Sequence, residues 1–375
     1  MAENTKIEWC DHTFNHVRGC TKVSPGCANC YAETLSKRNP GTLGTWGPNG
    51  ARVVASEAMW KEPLKWNKAA ACCCRKTIAD HEHESGCPQR DRLRVFCASL
   101  ADVFEDWQGS MVNAQGETLF QCCQCQHTWA ADMANYDPTK RDKRPICQEC
   151  LSPGPNEMTM QDVRNRLFRL IDQTPNLDWL LLTKRPDNAL RMMPKPAFDN
   201  DGWNGTLDGY WHQVNRPRHN VWLGTTVENQ KAADERIPHL LKVPAAVRFL
   251  SCEPLLGPVD LRRYFYVGEE GGWEYAGSRS NLISWVIVGG ESGHGARPCN
   301  VDWIRDIVRQ CRDAGVPCFV KQLGAKPFGY WVDGAPKEMP TQAWRLRIKD
   351  KKGGDIDEFP ADLRVREFPK ASVAS

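Results

Sequence analysis

Six apolar runs constrain the fold of this chain more than any other feature. They are RVFCASLADVF (94–104), LDWLLLTKRPD (177–187), NVWLGTTVENQ (220–230), AVRFLSCEPLLG (246–257), ISWVIVGGESG (283–293) and PCFVKQLG (317–324). Each is continuous rather than alternating, as strands buried on both faces of a parallel sheet are. Helical patterns stand between them, for example DVRNRLFRLIDQTP (162–175) and VDWIRDIVRQCRDAG (301–315). In the second, Trp303, Ile304, Ile307, Val308 and Cys311 recur at helical spacing and Gly315 marks the stop. A repeated β/α unit predicts the α/β class and a partial β/α barrel, a TIM-barrel-like arrangement. At 375 residues the chain is long enough for one such domain plus insertions.

The polar residues that end these runs form a second pattern. Asp102, Lys184, Arg185, Glu228, Glu253, Glu291 and Lys321 each follow or close an apolar stretch. In a β/α barrel such positions line the C-terminal mouth, where active sites are built. One of them would be an ordinary strand end; six runs ending alike predict a shared site.

Before the first of the six runs lies GCTKVSPGCANCYAE (19–33), which places Cys20, Cys27 and Cys30 in a C-x6-C-x2-C pattern with Tyr31 after the last cysteine. Pro25 and Gly26 favour a turn that bends the chain back on itself. Three thiolates close in sequence suit a [4Fe–4S] cluster with one iron left open, since each cysteine holds one iron. A zinc site completed by a distant ligand and buried thiols are the other readings of the spacing. The strand-like KIEWCDHTFNHV (6–17) leads into this loop, and 31–39 reads as a short helix stopped by Pro40 and Gly41. Residues 40–50 read as loop, and 56–68 as a helix broken at Pro63.

The chain holds 18 cysteines. They cluster as C-x2-C and similar groups without a secretory leader, which favours metal over disulfides. Cys122-x2-Cys125 and Cys147-x2-Cys150 suit a four-cysteine zinc site of the ribbon type, with Cys123 and His127 as substitute ligands. With four protein ligands such a zinc would be structural. Cys72, Cys73, Cys74, His81, His83 and Cys87 carry zinc-ligating types at a spacing that fits no defined motif, so Cys72, Cys74, His81, His83 and Cys87 stand as a second metal candidate. Cys97, Cys252, Cys311 and Cys318 sit in apolar contexts and read as packing residues.

These boundaries divide the chain into four parts. Residues 1–107 form the first part of the barrel with the cysteine loop and a Cys/His-rich insertion at 69–92. Residues 108–158 form the zinc-ribbon-like insertion, 159–324 the rest of the barrel, and 325–375 a charged C-terminal extension that should wrap the surface. A formal net charge of +3 marks no strong polyanion-binding field. No apolar run reaches the roughly 18 residues of a membrane span, and MAENTKIEW lacks the apolar core of a signal peptide, so a cytoplasmic protein with no membrane partner is expected.

The cysteine loop resembles a variant of the radical S-adenosylmethionine (SAM) signature C-x3-C-x2-C, with three extra residues between the first two cysteines and Tyr31 at its aromatic position. TKVSPGCANCYAE, LLTKRPD, VWLGTTVENQKAADERIP, VRFLSCEPLLGPVD, WVIVGGESGHGARP and LRVREFP together resemble a phage- and prophage-associated family of three-cysteine, radical-SAM-like proteins of uncharacterised function. The likeness covers nearly all of the chain outside about 69–92 and 108–158. It implies a [4Fe–4S] cluster on Cys20, Cys27 and Cys30, with SAM chelated at the open iron and reductively cleaved to a radical. Gly289-Gly290-Glu291 has the look of the family's Gly-Gly-Glu, which helps bind the SAM amino group, although it lies on a late strand. Asp102 is the earlier candidate for that role. Glu228 and Asn229 are candidates for the ribose, and Glu253 joins them at the mouth.

The function expected is therefore a radical-SAM-like iron–sulfur enzyme that modifies or repairs nucleic acid, DNA or RNA, with Lys184, Arg185 and Lys321 contacting substrate. An electron donor and a phage-encoded protein are the expected partners. Action on a peptide or small molecule is a variant of this reading. A non-catalytic iron–sulfur or zinc protein that binds nucleic acid is the alternative, its fourth iron ligand being Cys10 or His16. A metal-dependent hydrolase is disfavoured, because no His-rich ligand set accompanies the mouth carboxylates.

Overall fold

All six apolar runs enter one parallel sheet. The structure is a computed structural model describing residues 3–71, 92–122, 128–130, 156–194, 217–265, 282–293, 295–329 and 344–369. The sheet has seven strands: β1 (His12–Thr13), β2 (Leu93–Cys97), β3 (Leu177–Thr183), β4 (Val221–Thr226), β5 (Val247–Cys252), β6 (Trp285–Gly289) and β7 (Cys318–Gln322). Their spatial order is their chain order, and every neighbouring pair is parallel. A parallel sheet wound in one direction curls into a partial β/α barrel. Among the described residues β1 and β7 are its two edges.

The helices are α1 (Tyr31–Arg38), α2 (Glu57–Ala70), α3 (Met160–Asp172), α4 (Pro186–Met192), α5 (Gln230–Leu241) and α6 (Val301–Ala314). Helix α3 starts on a capping box between Thr159 and Asp162. Helix α6 ends at Gly315 in the left-handed region (φ +67°), as its sequence predicts. Two local expectations are corrected. Helix α2 runs through Pro63 without a break, its proline ring buried, and residues 40–43, expected as loop, form a four-residue helical turn that Pro40 opens, while α1 stops at Arg38 ahead of Pro40 as its sequence predicts. Pro40 stands in a first turn, where its missing N–H has no helical partner anyway, whereas Pro63 lies inside α2 and costs that helix a backbone hydrogen bond.

Period-two alternation sorts each strand's side chains between two cores. The outer face packs against the helices through residues such as Leu181, Leu223, Leu250, Val286, Val288 and Val320. Cys97, Cys252, Cys311 and Cys318 are fully buried there as packing residues. The inner face carries Phe96, Leu180, Trp222, Phe249, Trp285, Ile287 and Phe319. Trp285 is the hub of this lumen, with ring centroids 5.5–6.4 Å from Trp9, Trp222, Phe249, Phe319 and Phe368. The lower half of the barrel is thus a packed core, and open space is left to its mouth.

The C-terminal extension departs from the expected surface wrap. Its last described stretch runs along the free edge of β7, where Val320 N donates to Val365 O and Glu367 N to Cys318 O. Phe368 then turns into the inner core against Trp285 and Phe319. A small sheet joins Val17–Arg18, Arg52–Val54 and Met111–Val112, and another joins Leu119–Gln121, Thr128–Ala130 and Asn156–Glu157. Cys122 follows the second of these and is buried. Cys125, Cys147 and Cys150, and the set Cys72, Cys74, His81, His83 and Cys87, lie outside the described residues. Among the described residues no helix is long and apolar enough to cross a membrane.

Candidate functional site

The alternation that builds the inner core continues upward and leaves polar groups above it. Lys184, Thr226, Ser251, Glu253 and Lys321 share the parity of Leu180, Trp222, Phe249 and Phe319. Lys184 Nζ meets Thr226 Oγ1 at 3.3 Å, and Lys321 Nζ reaches both oxygens of Glu253 at 2.7 and 2.8 Å. The sequence-predicted mouth residues are therefore brought to one end of the barrel.

The cysteine loop crosses that end. On one side it is pinned by buried charges. Glu105, just beyond β2, accepts Thr21 N at 2.8 Å and a two-pronged contact from Arg52 at 2.7 and 2.8 Å. Arg52 also donates to Thr21 Oγ1. Arg185, after β3, donates to Thr21 O at 2.7 Å and points Nη1 at the Cys20 sulfur, 3.8 Å away. Asp102 holds that arginine at 2.9 Å while accepting Thr183 Oγ1, Lys184 N and Phe104 N. Four donors fill its acceptor sites, so Asp102 positions Arg185 and is not poised for a ligand.

The other side of the loop is tied to β4 and β6. A Cβ on Gly26 would come within 3.2 Å of the Glu228 carboxyl. Glu228 pairs with Arg236 at 2.6 Å. Burial alone would push its carboxyl up, but the Ser24 hydroxyl and Arg236 outweigh burial and hold it below the usual range. After β6, Glu291 pairs with Arg297 at 2.7 Å and accepts Asn29 Nδ2 at 3.0 Å, and Arg297 Nη1 reaches Pro25 O at 2.9 Å. Pro25 and Gly26, inside the stretch that sets C-x6-C apart from C-x3-C, meet Arg297 and Glu228, while Asn29, between the last two cysteines, meets Glu291.

Gly289 and Gly290 are explained by packing. A Cβ on Gly290 would stand 2.4 Å from Leu323 O, and one on Gly289 3.2 Å from Gln322 Cγ. The space at Gly289 lets Gln322 Nε2 bond Glu253 Oε1 (3.0 Å) and Gly290 O (2.7 Å). Asn229 caps α5 through Ala232 N. His16 is buried, with Nδ1 3.6 Å from the Cys97 sulfur, and Cys10 is buried with its thiol facing Ile7 O. Both belong to the packing beneath the loop.

Tyr31 is 57% exposed, yet burial pushes its hydroxyl above the ordinary tyrosine range, and that hydroxyl donates to Ser99 O at 2.6 Å.

Cys20, Cys27 and Cys30 are partly exposed and outside any disulfide. Burial followed by the carboxylates Asp102 and Glu105 pushes the Cys20 thiol up to about 12, against the pull of Arg185. For Cys27 burial also acts upward, but Lys184 and the hydrogen bonds at Val23 and Ser24 bring it below the ordinary thiol value. Among the described residues no three His, Cys, Asp or Glu side chains converge as a single-metal site requires. A four-iron cluster asks instead for one thiolate per iron. Three thiols on one braced loop, with Arg185 beside Cys20 to offset negative charge, fit that demand; loading would displace the Cys20 proton.

Arg52, Glu105, Arg236, Arg297, Asn29 and Gln322 escape a reading of the sequence. Arg236 and Arg297 lie inside the stretches VENQKAADERIP and GGESGHGARP, eight and six residues after the glutamates they pair with. That nearness is their only local signal. Arg52 and Glu105 have none. No curated protein and no solved structure matches the chain. A family model described as a protein of unknown function, DUF5131, matches residues 4–131 and 136–352. The chain belongs to that family.

Proposed function

We propose that this protein is a radical-SAM-like iron–sulfur enzyme of phage or prophage association. The observation that supports it most is a three-cysteine loop braced over the mouth of a partial β/α barrel. A [4Fe–4S] cluster on Cys20, Cys27 and Cys30 would supply the electron and the open coordination position for reductive cleavage of SAM. The chain's own part is to hold and enclose. Arg185 fixes the loop beside Cys20, Arg297 and Asn29 fix its far side, and Tyr31 ties the residue after Cys30 to Ser99 O. The polar pair Lys321–Glu253 and the Thr226 hydroxyl face the bound molecule from the barrel side.

Nucleic acid is the substrate class of this proposal, together with a structural zinc on Cys122, Cys125, Cys147 and Cys150 and an external electron donor. Of the three basic residues assigned to substrate, Arg185 and Lys321 already sit in ion pairs, so the grip on a polyanion must extend beyond the mouth. The same pairing favours one second reading. Asp102, Glu228, Glu253 and Glu291 all have partners within the chain, as they would in a non-catalytic iron–sulfur protein. Anaerobic reconstitution followed by electron paramagnetic resonance, with and without SAM, separates the two. The enzyme reading expects a cluster signal that changes on adding SAM and disappears when any of the three cysteines is replaced by Ala. A cluster indifferent to SAM leaves only the scaffold.

A further inference from the structure

We propose that Lys184 is the anion-binding residue of a small-ligand subsite at the mouth, one that takes a single carboxylate or phosphate group. The proposal rests on the mouth being a ligand site and deepens that reading.

Charge pairing around the mouth carries it. Arg185 has Asp102 at 2.9 Å, Arg52 has Glu105 at 2.7 Å, Arg236 has Glu228 at 2.6 Å, Arg297 has Glu291 at 2.7 Å and Lys321 has Glu253 at 2.7 Å. Lys184 carries the same charge and is half-buried, yet among the described residues no carboxylate lies within ion-pair reach of it. Its Nζ meets a neutral hydroxyl, Thr226 Oγ1, at 3.3 Å. An ammonium taken partly out of water without a counter-ion has lost solvation and gained no Coulomb energy in return. The five other described cations named here are matched by carboxylates and Lys184 is not, and that imbalance marks the place of a missing anion. The position is also fixed, because Asp102 holds the Lys184 backbone N–H at 2.9 Å.

A cleft of about 300 Å³ gives access, bounded by Val23 of the cysteine loop, Lys184, Pro186 and Arg236. That volume is at the lower end of ligand sites and suits a small molecule. Its charge limits the ligand further. Arg236 is occupied by Glu228, and Asp187, Glu235 and His239 also line the cleft. Those acids repel a polyphosphate, whereas one anionic group reaching Lys184 is matched by one cation, with the Thr226 hydroxyl as a second donor.

The test is residue-resolved acylation of the full-length, metal-free protein, quantified by peptide mass spectrometry. Phosphate and acetate are compared with sodium chloride at equal ionic strength, and exposed Lys61 serves as the control. Labelling of Lys184 should slow roughly five-fold when the free anion stands at about four times its dissociation constant, with Lys61 unchanged. Protection by phosphate alone assigns a phosphate-bearing ligand, and protection by acetate a carboxylate. Failure of both anions to protect overturns the proposal, as does equal slowing of both lysines. So does a Lys184 indifferent to anions but labelled faster in Cys27→Ser, which would make it the counter-ion of that thiolate. Because no cluster is needed, these outcomes stand apart from failure of the iron–sulfur reading.

Discussion

Gly224 has no side chain because Phe249 occupies the space. A Cβ there would lie 2.5 Å from the ring carbons of a fully buried phenylalanine on the next strand. Gly224→Ala should therefore cost about 2 kcal/mol, read from the denaturation midpoint, since an overpacked core must shift backbone or rotamers. An unchanged midpoint would mean the ring moves aside freely. Asp102 makes a different point about single residues. Its carboxylate offsets the half-buried Arg185, so Asp102→Asn leaves that cation only the longer contact to Glu105 (3.5 Å) and should cost about 2 kcal/mol in the same measurement. A loss confined to SAM binding, with stability intact, would return Asp102 to the role of ligand residue. Asp102 was visible in the sequence as a mouth carboxylate, whereas Gly224 stood unmarked inside an apolar run. Arg185 was legible too, as a mouth residue able to pair with such carboxylates, but Phe249 was not, because strand register brings it to Gly224 and no local pattern encodes that.

At the scale of elements, the six apolar runs were legible because burial on both faces leaves an uninterrupted apolar signature. The mouth was legible for a related reason: strand ends are where that signature gives way to charge. The bracing of the cysteine loop was hidden, since its anchors come from elements following β2, β3, β4 and β6. That bracing assigns Glu291 and Glu228 to the loop rather than to a ligand, and the assignment can be measured without a cluster. Arg297→Met removes the bond to Pro25 O and leaves Glu291 without its partner. Alkylation of Cys27 and Cys30 in the metal-free protein should then quicken about ten-fold, the equivalent of about 1.4 kcal/mol of local opening. Arg297→Lys should recover part of the loss by keeping the charge. If both variants alkylate at the wild-type rate, Arg185 and Glu105 hold the loop unaided.

At the scale of the whole molecule, a sheet that curls without closing leaves two edges and an opening between them. Unpaired edge strands invite association with other chains, so they are usually covered. Here the C-terminal stretch does the covering. Val365 and Glu367 add backbone hydrogen bonds along β7, Arg366 pairs with Glu8 at 3.1 Å near the start of the chain, and Arg94 of β2 lies 4.0 Å over the Phe368 ring. The tail thus spans the gap from β7 to the β1–β2 side. A charged, Gly-containing segment gives no hint of this, because its anchoring residues are few and widely spaced among solvated ones. Phe368 is the anchor to test. Its ring packs on Trp285 and Phe319 but is only partly buried, so Phe368→Ala should cost about 2–3 kcal/mol, less than a fully buried phenylalanine. Truncation after Leu363 removes the edge cover as well, and should both lower the melting temperature and produce oligomers in size-exclusion chromatography. If the truncated chain remains monomeric and as stable as the full one, the edge of β7 is protected by something other than its tail. Oligomers from the truncation, with Phe368→Ala still monomeric, would assign edge protection to the backbone bonds and core filling to the ring.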